Sequence, residues 1–143
     1  MLFRSSDVFM HLKVSDYLYN MEALNNRQAK KLWRDAIKRS WNNCCAYCGK
    51  PPIDDSSLTL DHVKAKCKGG EDLRTNIVPA DKKCNHSKGS SEWKPWFREQ
   101  PFYEEWKEYR IDYWLKHDVV LSEHQSKLLM EQDILLKLID ESQ

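Results

Sequence analysis

The sequence predicts an α+β domain: a small centre of two short antiparallel strands and one helix, flanked by N- and C-terminal helices. Three observations carry this. The chain has 143 residues, enough for one domain around one modest core. Apolar residues recur at helical spacing over residues 27–41 and again beyond residue 102. Between those stretches the period changes to alternation, broken by a glycine pair and closed by a further glycine. A single domain over 1–143 is expected. It has an N-terminal helical segment with a basic helix (1–43), the strand-containing core (44–91) and C-terminal helices (92–143).

Each element has a local reason. Residues 6–24 are mixed in character and partly helical. Over 27–41, Ala29, Leu32, Trp33, Ala36, Ile37 and Trp41 form an apolar stripe, and Asn26 is placed to cap it. The basic residues of that helix fall on its other face. "CCAYCGKPPIDDSS" is turn-rich. "LTLDHV" alternates like a strand, "KAKCKGGEDLRT" turns at Gly69-Gly70, and "NIVPA" is a second strand. "DKKCNHSKGS" predicts a short helix ended by Gly89. A link near Pro95 follows. Phe102, Trp106, Tyr109 and Tyr113 then lie on one helical stripe, expected to be core. Ser122-Glu-His-Gln125 reads as a capping box. It opens a last helix carrying Leu128, Leu129, Ile134, Leu135, Leu138 and Ile139, apolar enough to cover the domain or to meet a second copy in a homodimer.

Composition narrows the class. No run of eighteen apolar residues marks a membrane span. The N-terminus "MLFRSSDVFMHLKVSD" lacks an apolar signal region, so an intracellular, unsecreted protein is expected. Net charge is +1, yet it is unevenly spread. Residues 27–39 carry Arg27, Lys30, Lys31, Arg34, Lys38 and Arg39 against Asp35 alone. Residues 62–88 carry seven Lys or Arg against three acids, and residues 99–143 carry eleven acids against five bases. A basic front with an acidic tail fits a polyanion-binding surface on one side, although single charge runs are more often solvated helix faces. Five cysteines (Cys44, Cys45, Cys48, Cys67, Cys84) are an odd, uneven set and argue against a disulfide framework. Metal ligation and plain burial both remain open for them.

The chemistry concentrates in residues 45–90. Asp61-His62 ends the first strand, pairing a hard-oxygen ligand with an imidazole able to take a proton near neutral pH. Such a pair suits phosphodiester hydrolysis, where water is activated and a leaving oxygen stabilised. Alone, two adjacent letters are weak evidence. Cys45-Ala-Tyr-Cys48-Gly is a knuckle able to hold half a tetrahedral zinc site, and Cys84 offers a third thiolate. A complete second knuckle would place a cysteine at position 81, where Asp81 stands.

The pieces "CAYCG", "LDHVKAKCKGG", "NIVPA" and "CNHSKG" together resemble the HNH nuclease motif, the ββα-metal fold, in an H-N-N variant formed by His62, Asn76 and Asn85. The arrangement is similar to phage junction-resolving nucleases of the endonuclease VII type and to free-standing phage homing endonucleases. The resemblance implies His62 as the general base, with Asp61 and Asn85 as ligands of a catalytic Mg²⁺ or Mn²⁺. It implies Asn76 as a brace for the inter-strand loop, and places Lys88 near the scissile phosphate. Cys45, Cys48, Asp81 and Cys84 would form a structural zinc site. Double-stranded DNA is the implied partner, held through Arg27, Lys30, Lys31, Arg34, Lys64, Lys66, Lys68 and Lys88. The expected activity is metal-dependent hydrolysis of DNA phosphodiester bonds by a phage homing endonuclease. A junction-resolving or packaging nuclease is the enzyme alternative, and an inactive zinc-knuckle DNA-binding module the alternative of another class.

Overall fold

The computed structural model describes residues 26–54 and 56–143. The expectation of partial helix over residues 6–24 lies outside them. The chain divides into two units, residues 1–35 and 36–143. Helix α1 (Asn26–Ser40) is strongly amphipathic along its length, yet only its end is buried. Ile37 is fully covered and Trp41, just beyond, is nearly so, while Leu32 and Trp33 are exposed.

The second unit is built on one hairpin. β1 (Leu58–His62) pairs antiparallel with β2 (Ile77–Asp81), with Asp61 opposite Val78 and His62 opposite Ile77. Pro79 has no N–H for the ladder, which a two-stranded sheet tolerates at its edge. Its carbonyl instead accepts from Ala46 N at 2.9 Å, tying the cysteine knuckle to β2. Helix α2 (Lys82–Lys88) follows at once. Asp81 caps it by accepting from Lys83 N, and Gly89 ends it at φ +54°. The strand–loop–strand–helix order is thus the observed one, as a small α+β core of two strands and a helix.

The residues after α2 correct one expectation. The link near Pro95 is itself a helix, α3 (Trp93–Arg98), with Pro95 in its first turn. A proline there loses no intrahelical bond, because the first N–H groups of a helix have no acceptor in any case. Trp93, Trp96 and Phe97 are buried, and Tyr47 meets Trp96 and Phe97 edge-on at 5.1 and 5.6 Å. Aromatic packing therefore locks the knuckle to α3.

Helix α4 (Glu105–His117) corrects a second. Its buried face carries Lys107, Ile111 and Trp114. Trp114 Nε1 donates to Ile77 O at 3.0 Å, anchoring the helix on β2. The Tyr109–Tyr113 stripe is half-buried instead. Its polar ends explain this: Tyr109 Oη donates to Asp133 at 2.7 Å on helix α5 (Glu123–Glu141), a bond that needs a wet edge. Helix α5 opens with the capping box read from Ser122 and Gln125, both reciprocal bonds being present. Its second half leaves Ile134, Leu135, Leu136, Leu138 and Ile139 exposed. Among the described residues no helix is long and apolar enough to cross a membrane.

Candidate active site and thiolate cluster

Two clusters of ligand-type side chains flank the hairpin. The first is sulfur. Asn42 and Asn43 both adopt φ +54°, reversing the chain after α1 and delivering Cys45 and Cys48 into a turn. Gly49, at φ +78°, closes that turn by donating to Cys45 O at 2.9 Å. Cys84 arrives from α2, and the three sulfurs lie within 4.8 Å of one another. Mutual hydrogen bonds divide their acidities. Cys48 is held low by its bonds with Cys45 and Cys84, whereas Cys45 and Cys84 are pushed up. A cation that takes all three as thiolates removes this conflict, and soft sulfur donors fit zinc. Asp81 departs from its expected place. It lies outside the cluster and spends Oδ1 on Lys83 N at 2.8 Å, because the start of α2 needs a cap. Cys44 points its sulfur at Asn42 O, and Cys67 is exposed.

The second cluster is oxygen and nitrogen. Alternation along β1 puts Thr59 and Asp61 on one face. Asn85 and Lys88, three residues apart on α2, come down on that face. Asn85 Nδ2 donates to Thr59 Oγ1 at 2.9 Å and to Leu60 O at 3.3 Å. These bonds fix which end of the amide is which and leave its oxygen without a donor among the described residues. Asp61 is 6% exposed. Tyr47 Oη donates to its Oδ2 at 2.6 Å, and Lys88 Nζ lies 3.1 Å from the same oxygen. Burial pushes the Asp61 carboxyl up, while Tyr47 and Lys88 oppose the shift. Burial, then Asp61, hold the Tyr47 phenol well above its usual range, so it remains a donor. A carboxylate oxygen and an amide oxygen form a hard donor pair suited to Mg²⁺ or Mn²⁺. The carboxylate half of that pair already carries the Lys88 ammonium as its counter-charge. Lys88 is therefore not a surface phosphate ligand: its side chain is wholly buried, with Nζ 2.9 Å from His62 O.

His62 ends β1 with its side chain 30% exposed, turned away from the interior. Its Nε2 lies 2.7 Å from Asp72 Oδ1. A carboxylate only accepts, so in the neutral ring Nε2 carries the proton and Nδ1 keeps the lone pair. The intervening loop is held by Asn76. Its Oδ1 accepts from Lys64 N at 3.0 Å, and its Nδ2 donates to Lys64 O and Glu71 O at 3.1 and 2.9 Å. Val63 N donates to Asn76 O as well. The loop folds back so tightly that a Cβ on Gly70 would lie 1.8 Å from Lys64 O. This return is what brings Asp72 to His62.

Lys64, Lys66 and Lys68 are exposed on that loop, Lys66 reaching Asp72 at 3.5 Å. Arg27, Lys30, Lys31 and Arg34 are exposed on α1, with Lys31 paired to Asp35. Tyr47 and Asp72 are functional-type residues that sequence reasoning missed. Tyr47 was hidden inside the C-x-x-C knuckle. Asp72 had one signal, an acid just after a Gly-Gly turn that starts beside His62.

Both clusters fall in one stretch, and a family model matches the same stretch. Over 66 residues the chain is 36% identical to the CRISPR-associated endonuclease Cas9 of Corynebacterium diphtheriae. Those residues are 46% of this chain and 6% of that protein, so the chain spans a small fraction of its relative's length. Residues 45–91, which hold the knuckle, the hairpin and α2, match a family model described as HNH endonuclease.

Proposed function

We propose that the chain is a metal-dependent HNH endonuclease hydrolysing DNA phosphodiester bonds, with a free-standing phage homing endonuclease as the narrower reading. The observation that carries it is that α2 sets Asn85 on Thr59 and Lys88 on Asp61 along one face of β1, while the next residue, His62, ends the strand with an imidazole whose tautomer Asp72 fixes. Asp61 and the Asn85 amide oxygen would hold Mg²⁺ or Mn²⁺. When bound, such an ion stabilises charge on the phosphate and its leaving oxygen. His62 Nδ1 takes the proton of the attacking water, a contribution of about 10²- to 10⁴-fold. Asp72 holds the ring and steadies the imidazolium that results. Asn76 keeps the loop, and with it Asp72, in register with β1. Tyr47 and Lys88 fix the Asp61 carboxylate. Cys45, Cys48 and Cys84 would hold a structural zinc. The exposed lysines of the loop and the basic start of α1 are assigned to the DNA backbone, where charge positions the duplex without reading sequence.

Plasmid incubated with and without Mg²⁺ or Mn²⁺ tests the reading. Cutting that EDTA stops is the expected result; intact plasmid at every metal concentration rejects it. Discrete fragments favour a homing enzyme, whereas selective cutting of a cruciform favours a junction-resolving or packaging nuclease. The second class of reading, an inactive zinc-knuckle DNA-binding module, draws on the ammonium seated on Asp61, and binding without cutting would select it. Cutting both strands with one site needs two copies or two visits. The exposed apolar half of α5 supports two copies, which sedimentation at micromolar concentration reads directly.

A further inference from the structure

Lys88 places a fully buried positive charge on the acid that the nuclease reading assigns to the metal. Its Nζ lies 3.1 Å from Asp61 Oδ2, 3.4 Å from Asp61 Oδ1 and 2.9 Å from His62 O. Three donors meet three acceptors, so the ammonium is satisfied where it stands. Asp61 Oδ2 also accepts from Tyr47, which leaves Oδ1 as the less engaged oxygen. A dication on Oδ1 would face the ammonium as a like charge at close range inside a poorly solvated site, where repulsion is strong. A DNA phosphate that joins the dication alters that balance, since its negative charge offsets the repulsion. Lys88 is the last residue of a seven-residue helix, followed by Gly89 at φ +54°.

We infer that Lys88 is the resident counter-ion of Asp61: it keeps the divalent-metal site weak in the free chain and couples metal binding to the arrival of a phosphodiester. The inference rests on the nuclease reading of Asp61 and Asn85. It assigns Lys88 a regulatory charge. Metal and DNA then bind with positive coupling, and the free chain is a poor metal binder.

Electron paramagnetic resonance of Mn²⁺ tests this without reference to cutting. The full chain is titrated with Mn²⁺ alone and with a DNA duplex, in a His62→Ala background that keeps the duplex whole. Asp61→Ala identifies the signal of this site by its loss. In the parent, the duplex is expected to raise Mn²⁺ affinity about tenfold or more, within the usual range of coupling between sites. Lys88→Met is expected to bind Mn²⁺ about tenfold more tightly without DNA and to shrink the duplex effect below about twofold. Lys88→Gln keeps donors for Asp61 and His62 O without the charge and reads the same quantity should the Met variant fail to melt cooperatively. Lys88 variants that bind no more tightly than the parent, or that keep the full duplex effect, overturn the inference while leaving the nuclease reading standing. If parent and variants alike show no signal that Asp61→Ala removes, the metal site itself is rejected, and the inference falls with it.

Discussion

The two ligand clusters lie on one small core and follow opposite designs. The sulfur cluster gathers Cys45, Cys48 and Cys84 from a knuckle and a helix, where the sulfurs bond chiefly to one another and to backbone N–H groups. The oxygen cluster is already neutralised: Asp61 is held by a tyrosine and an ammonium before any metal enters. A cation on the first would settle three competing thiols together, which would make metal binding part of folding. The second is folded without one, so a metal there can come and go. This contrast would separate a structural ion at the sulfurs from an exchangeable one at Asp61 on physical grounds. It gives a way to break each cluster separately.

The largest effect is expected from His62. His62→Ala should lower cutting by roughly 10²- to 10⁴-fold while leaving duplex affinity nearly unchanged, as measured by gel cutting and by equilibrium binding. A variant that cuts at the parental rate would end the base assignment. Asp72→Asn sharpens the point. An amide can accept or donate, so it no longer fixes the imidazole tautomer, and a loss of roughly tenfold is expected in rate with unchanged binding.

The sulfur cluster should respond in stability instead. Cys84→Ser, or a strong chelator applied to the parent, should lower the melting temperature by about 10 °C, the shift expected when a ligand present at some thousandfold above its Kd is removed from a domain of this size. Calorimetry with and without chelator measures it. If the sulfurs are merely buried, the chelator will leave the melt where it was.

How much of this was legible follows the same division. The hairpin and α2 could be read because alternation and Gly89 act locally: each residue declares its own conformation. Asp81 could not be read correctly from spacing. Its position matched a missing ligand, but the N-terminus of α2 competes for the same carboxylate, and the cap is nearer. Lys88 looked like a surface lysine because nothing in the sequence shows that three residues of helix carry it from Asn85 onto Asp61. Pro95 read as a break because proline is usually one, and only its place in a first turn makes it a helix former. The α4 stripe failed for a related reason. Two stripes of that helix are apolar, and tertiary packing chose Ile111 and Trp114. Tyr47 and Asp72 depend on hydrogen bonds across 14 and 10 residues, beyond any periodicity.

A smaller effect concerns the basic surface. Reversing Lys30, Lys31 and Arg34 to glutamate should weaken duplex binding and flatten its salt dependence by about 0.9 in log–log slope for each phosphate no longer neutralised. A slope equal to the parent's would remove α1 from the interface. Both clusters should keep their own signatures in this variant, since none of its three positions belongs to either.

The smallest expected effect lies far from both clusters and controls for them. Arg98 grips Glu108 with two hydrogen bonds, Nε at 2.7 Å and Nη2 at 3.0 Å, and this pair holds the Glu108 carboxyl below the usual glutamate value. The folded pKa therefore lies below the unfolded one. The pair contributes stability above the unfolded value near 4.5 and loses it as pH falls through the folded value. Arg98 is half-exposed, so solvent screens the pair and its contribution should be small. Arg98→Met should flatten the acid limb of the stability curve slightly and leave chelator sensitivity and Mn²⁺ binding untouched. An acid limb unchanged by the substitution would show that the pair contributes nothing measurable. A change in chelator response instead would mean that the sulfur cluster is not energetically separate from α3 and α4, and the contrast between the two clusters would lose its footing.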